Sequence, residues 1–153
     1  MSARAWHVAV IHGVNLDQLG RRDPALYGTL TLAQLEQRID RRARELGMSA
    51  SFFHTNHEGE LVEHLHGLRD GGADAILLNP GAWGHYAWAI RDALEIAGLP
   101  SLEIHLSDVG SREPWRRVSV IGDLCFAKVS GLGADGYDEA LALLREQLQR
   151  ETA

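Results

Sequence analysis

DAILLNPGAWGHYAWAIRDALEIAGLPSLEIH, residues 74–105, decides the fold. It opens on an apolar run at 74–79 and closes on a second at 101–105, with helical periodicity over 84–97 between them. Parallel neighbours need a crossover of a dozen residues or more, so strand, helix and strand in this order read as one βαβ unit. The same alternation continues outward in both directions. Short β-rich runs stand at 6–11 (WHVAVI), 50–54 (ASFFH) and 124–130 (LCFAKVS), and helical stretches at 31–46, 59–70 and 137–149. Between 31 and 46 the residues Leu32, Leu35, Ile39, Ala43 and Leu46 repeat at three and four, with Thr31 as N-cap and Gly47 as stop. Strands that are apolar nearly throughout are strands covered on both faces. The expectation is an α/β, flavodoxin-like three-layer sandwich: a five-stranded parallel sheet of order 2-1-3-4-5, forming a single domain over 1–153.

Composition narrows the class. With 21 acidic and 15 basic residues the net charge is −6, which argues against general nucleic-acid binding, where a positive face must meet the phosphates. No apolar run approaches the ~20 residues of a membrane helix, and WHVAVI after Arg4 is too short for a signal-peptide core. One cysteine, Cys125, excludes an intrachain disulfide and a cysteine-based zinc cluster. A soluble cytoplasmic domain is expected, with neither nucleic acid nor membrane as partner.

Two segments break the βα rhythm. Residues 12–30 and 106–120 are long, rich in Gly, Pro and charge, and each follows the carboxyl end of a strand. Two to six residues is the usual length there, and ligands bind at that edge of an α/β sheet. Polar side chains gather at the same ends: His12, His54 to His57, Asn79 and His105 are expected on one rim. Glu103 and His105, two apart on a strand, project to one face. A carboxylate so placed orients the imidazole and favours the protonated form that an acid catalyst needs. Taken alone, His105 reads more readily as a satisfied histidine at a strand end.

Arg22 and Tyr27 lie in the first loop, close enough for the guanidinium to fold against the phenol. Holding an ordinary phenol ionised at neutrality takes about 4 kcal/mol of differential interaction. On spacing alone the pair reads as a surface arginine and a packed tyrosine. Two further motifs are discounted. Gly131, Gly133 and Gly136 spell GxGxxG, but after the last strand rather than the first, and read as a tight turn. His54, His57, His64 and His66 suggest a metal, yet 64 and 66 lie about 200° apart on a helix and cannot share one ion.

Five segments in order carry a resemblance: IHGVNLDQLGRRDPALYG (11–28), TNHEGELVEHLH (55–66), NPGAWGH (79–85), EIHLSDVGSREPWRRVS (103–119) and GLGADGY (131–137). Together they resemble the motifs of the type II 3-dehydroquinate dehydratases, across about residues 7 to 149. The resemblance implies a flavodoxin-like fold, a dodecamer built as a tetramer of trimers, and reversible dehydration of 3-dehydroquinate to 3-dehydroshikimate without metal or organic cofactor. It implies Tyr27 as the tyrosinate base, Arg22 as its partner and lid anchor, and His105 as general acid with Glu103 behind it. Asn79, His85 and Arg116 match positions that hold the substrate's hydroxyls and carboxylate. The backbone N–H groups of Leu106 and Ser107 match its carboxylate cradle, and Asp92 matches a residue supplied by a neighbouring subunit.

The sequence also departs from that pattern. His12-Gly13-Val14-Asn15-Leu16-Asp17 stands where Asn-Gly-Pro-Asn-Leu-Asn is usual. His12 falls on the asparagine taken to position the water that stabilises the enolate, and an imidazole donor there is expected to do that work directly. Asp17 adds negative charge unless it points outward, and Gly84 replaces a hydroxyl residue. Asp108 and Val118 replace an asparagine and a histidine. Three readings therefore stand at this level: a working dehydratase of 3-dehydroquinate, an anionic cyclic ketone; a paralogue eliminating water from a related cyclic β-hydroxy ketone, such as an amino analogue; and a non-catalytic assembly protein. Turnover of the related ketone in preference would mark the second, and indifference to Tyr27→Phe the third.

Overall fold

The computed structural model of the protein describes residues 5–152, so the extreme ends of the expected 1–153 domain lie outside the described residues. Five strands form one parallel sheet in the order β2-β1-β3-β4-β5: β1 His7–His12, β2 Ser49–His54, β3 Ala75–Asn79, β4 Ser101–His105 and β5 Ala127–Ser130. The helices are α1 Pro24–Tyr27, α2 Leu32–Glu45, α3 Glu58–His66, α4 Trp88–Ala97 and α5 Asp135–Thr152. The expected flavodoxin-like order is the observed one.

Side-chain alternation along the central strands builds the two outer layers. Val8, Val10, Ala75, Leu77, Leu102 and Ile104 pack with Leu35, Ile39 and Ala43 of α2 and with Tyr137, Leu141 and Leu144 of α5. Ala9, Ile11, Ile76 and Leu78 face the other way, against Leu61 and Leu65 of α3 and Ile90, Ala93 and Leu94 of α4. Helix α2 begins where its sequence says it should: the Thr31 hydroxyl accepts from the Gln34 N–H at 3.2 Å, and the Gln34 side chain accepts from the Thr31 N–H at 3.0 Å. That reciprocal cap contributes about 1 kcal/mol.

Boundaries shift by a few residues at several elements, and three of the shifts have a clear local cause. The run at 124–130 gives a strand only from Ala127, because a 3-10 turn at Gly122–Leu124 precedes it and pairing begins with the Phe126 N–H on the Ser101 carbonyl. The stretch 59–70 stops at His66, where Gly67 and the following Gly71 and Gly72 turn the chain back. The stretch 84–97 divides into a 3-10 turn, Gly81–His85, and α4 proper. This division carries His85 off the helix and onto the sheet edge. The two long loops are partly ordered: 12–30 holds a 3-10 turn at Leu16–Gln18 and α1, and 106–120 holds 3-10 turns at Val109–Ser111 and Pro114–Arg117.

Candidate active site

The chain segments leaving β1, β3 and β4 close over one cleft of about 100 Å3. This lies where the strand order reverses, between β1 and β3, the position at which open α/β sheets bind ligands. Its wall includes Asn15, Arg22, Tyr27, Asn79, His85, His105, Leu106, Ser107, Arg112 and Arg116. Eight of the sequence-expected residues are thus brought together, from segments far apart in the chain. Three arginines converge there although the chain carries a net charge of −6, so the cleft suits an anion.

On one side the Tyr27 oxygen accepts from Arg22 Nη2 at 2.7 Å and from Arg112 Nη1 at 2.7 Å. The Arg22 guanidinium also lies 3.8 Å from the centre of the Tyr27 ring. Arg112 reaches on to the Ser107 hydroxyl at 3.1 Å, tying the first loop to the segment after β4. Both donors are charged, and hydrogen bonds of that kind are about twice as strong as neutral ones. The α1 turn that presents Tyr27 is capped by Asp23, whose carboxylate accepts from the Ala25 N–H at 3.0 Å, with Pro24 at its first position.

On the other side His105 Nε2 donates to Glu103 Oε2 at 2.5 Å, as their spacing on β4 requires. The remaining Glu103 oxygen accepts from Ser119 Oγ at 2.7 Å, and Lys128 Nζ lies 4.0 Å from the pair. Burial works against ionisation of Glu103, which has no solvent exposure. The hydrogen bond and charge of His105, then Ser119 and Lys128, outweigh it and hold the carboxyl below its usual range. His105 Nε2 is thereby occupied, and Nδ1 is the nitrogen left to exchange a proton.

His85 stacks at 6.0 Å from His105, and its Nδ1 donates to the Val118 carbonyl at 2.6 Å. A carbonyl only accepts, so the proton sits on Nδ1 and Nε2 is left as an acceptor. Burial is the main cause holding His85 below the ordinary imidazole range; the Val118 bond opposes it, and the charges of His105 and Arg116 add to it. Asn79 Oδ1 accepts from the Gly81 N–H at 3.0 Å, and its amide also meets the hydroxyl of the buried Tyr137. Arg116 lies 4.2 Å over the Trp115 ring and is paired with Glu113.

His12 does not line the cleft, which corrects the expectation drawn from its place in the chain. Its ring is fully buried, parallel to Phe52 of β2 at 6.3 Å, and Nε2 bonds to Glu36 of α2 at 3.0 Å. The Glu36 carboxylate draws the imidazole toward α2, and the flat neighbour on β2 keeps it there. The first loop instead sends Asn15 to the wall, with φ of 69° turning the backbone after β1. His54 and His57 sit at the end of β2 and just after it but do not line the cleft: His54 Nε2 lies 3.7 Å from Asp17 and His57 Nε2 lies 3.9 Å from Glu60. Asp17 points outward, accepting from Asn56 Nδ2 at 3.1 Å. Asp92 stands exposed on α4, outside the cleft of its own chain. Among the described residues no His, Cys, Asp and Glu side chains are grouped to hold a metal ion; His64 lies against Phe53, ring centres 3.8 Å apart.

Asn15, Arg112 and Ser119 were not singled out by sequence reasoning. Arg112 belongs to SREPWRR, where nothing in the spacing sets it apart from Arg116 and Arg117. The one available signal is that a long loop expected to bind an anion carries three arginines.

Burial of histidines makes stability depend on pH. His85 and His64 are both held below the ordinary imidazole value of 6.5 by burial, so the unfolded chain takes up protons that the folded chain refuses. Their stabilising contribution is present above 6.5 and is lost as pH falls below it; Glu103 adds a loss of the same sign below 4.5. Urea midpoints are expected to fall between about pH 7 and about pH 5.5, and His64→Asn is expected to flatten that slope. A midpoint constant over this interval would contradict the assignment.

The chain matches the family model "Dehydroquinase class II" over residues 6–145. It is 44% identical over 131 residues to the 3-dehydroquinate dehydratase of Leptothrix cholodnii, covering 86% of this chain and 88% of that protein. It is 46% identical over 141 residues to 3-dehydroquinate dehydratase 1 of Pseudomonas aeruginosa, covering 92% and 96%. The crystal structure of type II dehydroquinase from Propionibacterium acnes superposes with a TM-score of 0.88 at 36% identity, covering 95% of this chain and 99% of that one. A match over nearly the whole described length, by sequence and by fold alike, leaves one conclusion: the chain belongs to the class II dehydroquinase family.

Proposed function

We propose that this protein dehydrates 3-dehydroquinate to 3-dehydroshikimate by anti elimination through an enolate. One observation carries the reading: a phenol oxygen held by two guanidiniums at 2.7 Å shares a cleft with an imidazole hydrogen-bonded to a buried carboxylate at 2.5 Å. An elimination of this kind needs a base, an opposed acid and donors for the enolate. Tyr27, as phenolate, removes the proton next to the ketone, and Arg22 and Arg112 stabilise its negative charge. His105, oriented by Glu103, delivers a proton to the departing hydroxyl. Asn15 supplies the amide on the enolate side, the role that its place in the chain had assigned to His12. His85 accepts from a substrate hydroxyl through Nε2, Asn79 donates to another, and Arg116 meets the carboxylate together with the backbone of Leu106 and Ser107. No step in this scheme calls on a metal or an organic cofactor.

The substrate is thus a small cyclic anion. Asp92, exposed and away from its own cleft, completes the site of a neighbouring copy in a dodecamer built as a tetramer of trimers. No helix among the described residues is long and apolar enough to cross a membrane. A cytoplasmic location is proposed on the sole cysteine, a half-buried thiol pushed up to about 12 by burial and then by the charges of Glu103 and Asp123.

The test is the ultraviolet absorbance of the conjugated enone when purified protein meets 3-dehydroquinate between about pH 6 and about pH 9. Turnover is expected. Arg22→Ala and Arg112→Ala are each expected to lower kcat/KM by about 10–100-fold, since each removes a charge-assisted hydrogen bond, worth about 1.5–3 kcal/mol, from the base. Absence of turnover by a folded oligomer would sink the reading; unchanged kcat/KM in both arginine variants would sink the role of the arginines.

A further inference from the structure

The GLG of the last sheet connection is used by neither the fold core nor the chemistry so far described, yet it touches the substrate cleft from behind. The Gly133 N–H donates to the Leu106 carbonyl at 3.1 Å and the Gly131 N–H to the Ser107 carbonyl at 3.1 Å. Leu106 and Ser107 line the catalytic cleft on one side; on the other, with Asp108, Gly131 and Gly133, they line a separate hollow. The Leu106–Ser107 peptide is therefore a partition between two spaces. Every peptide among the described residues is trans, so a carbonyl and the N–H of the same peptide point in opposite directions. With the Leu106 carbonyl held toward Gly133, the Ser107 N–H is turned to the cleft.

We infer that the Gly131–Gly133 turn positions the anion cradle: it holds the Leu106–Ser107 peptide in the orientation that presents the Ser107 N–H to the substrate's carboxylate. This rests on the dehydratase reading for the identity of the anion, though not for the geometry. Glycine is required at both points of attachment. Gly131 has φ of +81°, and a Cβ there would stand 3.0 Å from the Asp108 Cβ and 3.3 Å from its Cα. Gly133 has φ of +58° and open space around it, so the penalty for a side chain there is backbone strain alone. The difference separates the two residues experimentally. Asparagine tolerates the left-handed region and alanine does not, so Gly133→Asn should keep the turn that Gly133→Ala distorts. At Gly131 the steric contact with Asp108 makes either replacement disruptive.

The experiment compares the full-length protein with Gly131→Ala, Gly133→Ala and Gly133→Asn. For each, kcat and KM for 3-dehydroquinate are measured, together with the Kd for inorganic phosphate by calorimetry and the melting temperature. Both alanine variants are expected to raise KM and the phosphate Kd about tenfold, equivalent to about 1.4 kcal/mol, and to leave kcat within about twofold. Gly133→Asn is expected to restore both constants. Should Gly131→Ala fail to fold, the Gly133 pair alone decides. Active wild-type protein with KM and phosphate affinity unchanged in the alanine variants would overturn the inference and leave the dehydratase reading standing. An inactive wild type whose phosphate affinity still falls in the alanine variants would overturn the dehydratase reading and support the cradle. A wild type that binds no phosphate and variants with unchanged KM would overturn the cradle. A general loss of melting temperature and kcat together, unrepaired by asparagine, would show the turn to be structural only.

Discussion

Tyr27→Phe is expected to lower kcat by about 10²–10⁴-fold, the range contributed by a positioned general base. The change removes one oxygen and little else. Tyr27 is half-buried, and its ring keeps its contact with Arg22 whether or not the hydroxyl is present. The phenylalanine variant should therefore melt within about 4 °C of wild type, the shift expected for a loss of about 1 kcal/mol in a chain of this size. Two guanidiniums now lacking their acceptor remain solvated at the cleft. Single-turnover absorbance and a calorimetric melt on the same preparation check the expectation. A variant that retained more than a tenth of wild-type kcat would show that some other group takes the proton. A variant that unfolded would show the hydroxyl to be needed for the fold, through its bonds to Arg22 and Arg112.

Glu103→Ala is expected to damage both stability and rate. Glu103 has no exposed surface and His105 is 5% exposed, reaching the cleft by one edge only, so the pair is largely screened from water. Removing one member of a buried ionic pair costs about 3–5 kcal/mol, because the other is left buried without a partner. At this chain length such a loss lowers the melting temperature by about 6–20 °C. Ser119 loses its acceptor in the same substitution, as does the nearby Lys128 its counter-charge. The rate should fall as well, since nothing then fixes the His105 ring in its donating orientation. Glu103→Gln separates the two effects: it keeps the volume and an acceptor and so should melt closer to wild type, while losing the negative charge that His105 Nε2 bonds to. A glutamine variant with wild-type kcat would remove the carboxylate from the acid's support and leave it a structural group.

The parts of this molecule that were legible before folding are those governed by local periodicity. Residues two apart on a strand share a face through covalent geometry alone, and so Glu103 and His105 could be paired from SLEIH. The α2 stripe from Leu32 to Leu46 and its Thr31 cap follow from the helical repeat in the same way. Helix ends were less legible, because the break at Tyr86 separates His85 from α4 without a proline or any other strong stop. His12 was misplaced for a related reason. Its position in the chain puts it at a strand end beside the cleft, but its orientation answers to Glu36, which lies 24 residues away on the covering helix.

The sequence by itself determined the layered α/β fold, the sheet edge that carries the site and the family, since burial patterns, glycine turns and ordered motifs are read one stretch at a time. Only the tertiary structure decided that Arg112 meets a phenol 85 residues distant, that Asn15 rather than His12 enters the cleft, and that the glycines after β5 brace the backbone after β4. The physical reason is that a hydrogen bond between loops depends on where two backbones happen to meet and how each is turned there. Those quantities are set by the packing of the whole sheet and its helices, and no local periodicity encodes them.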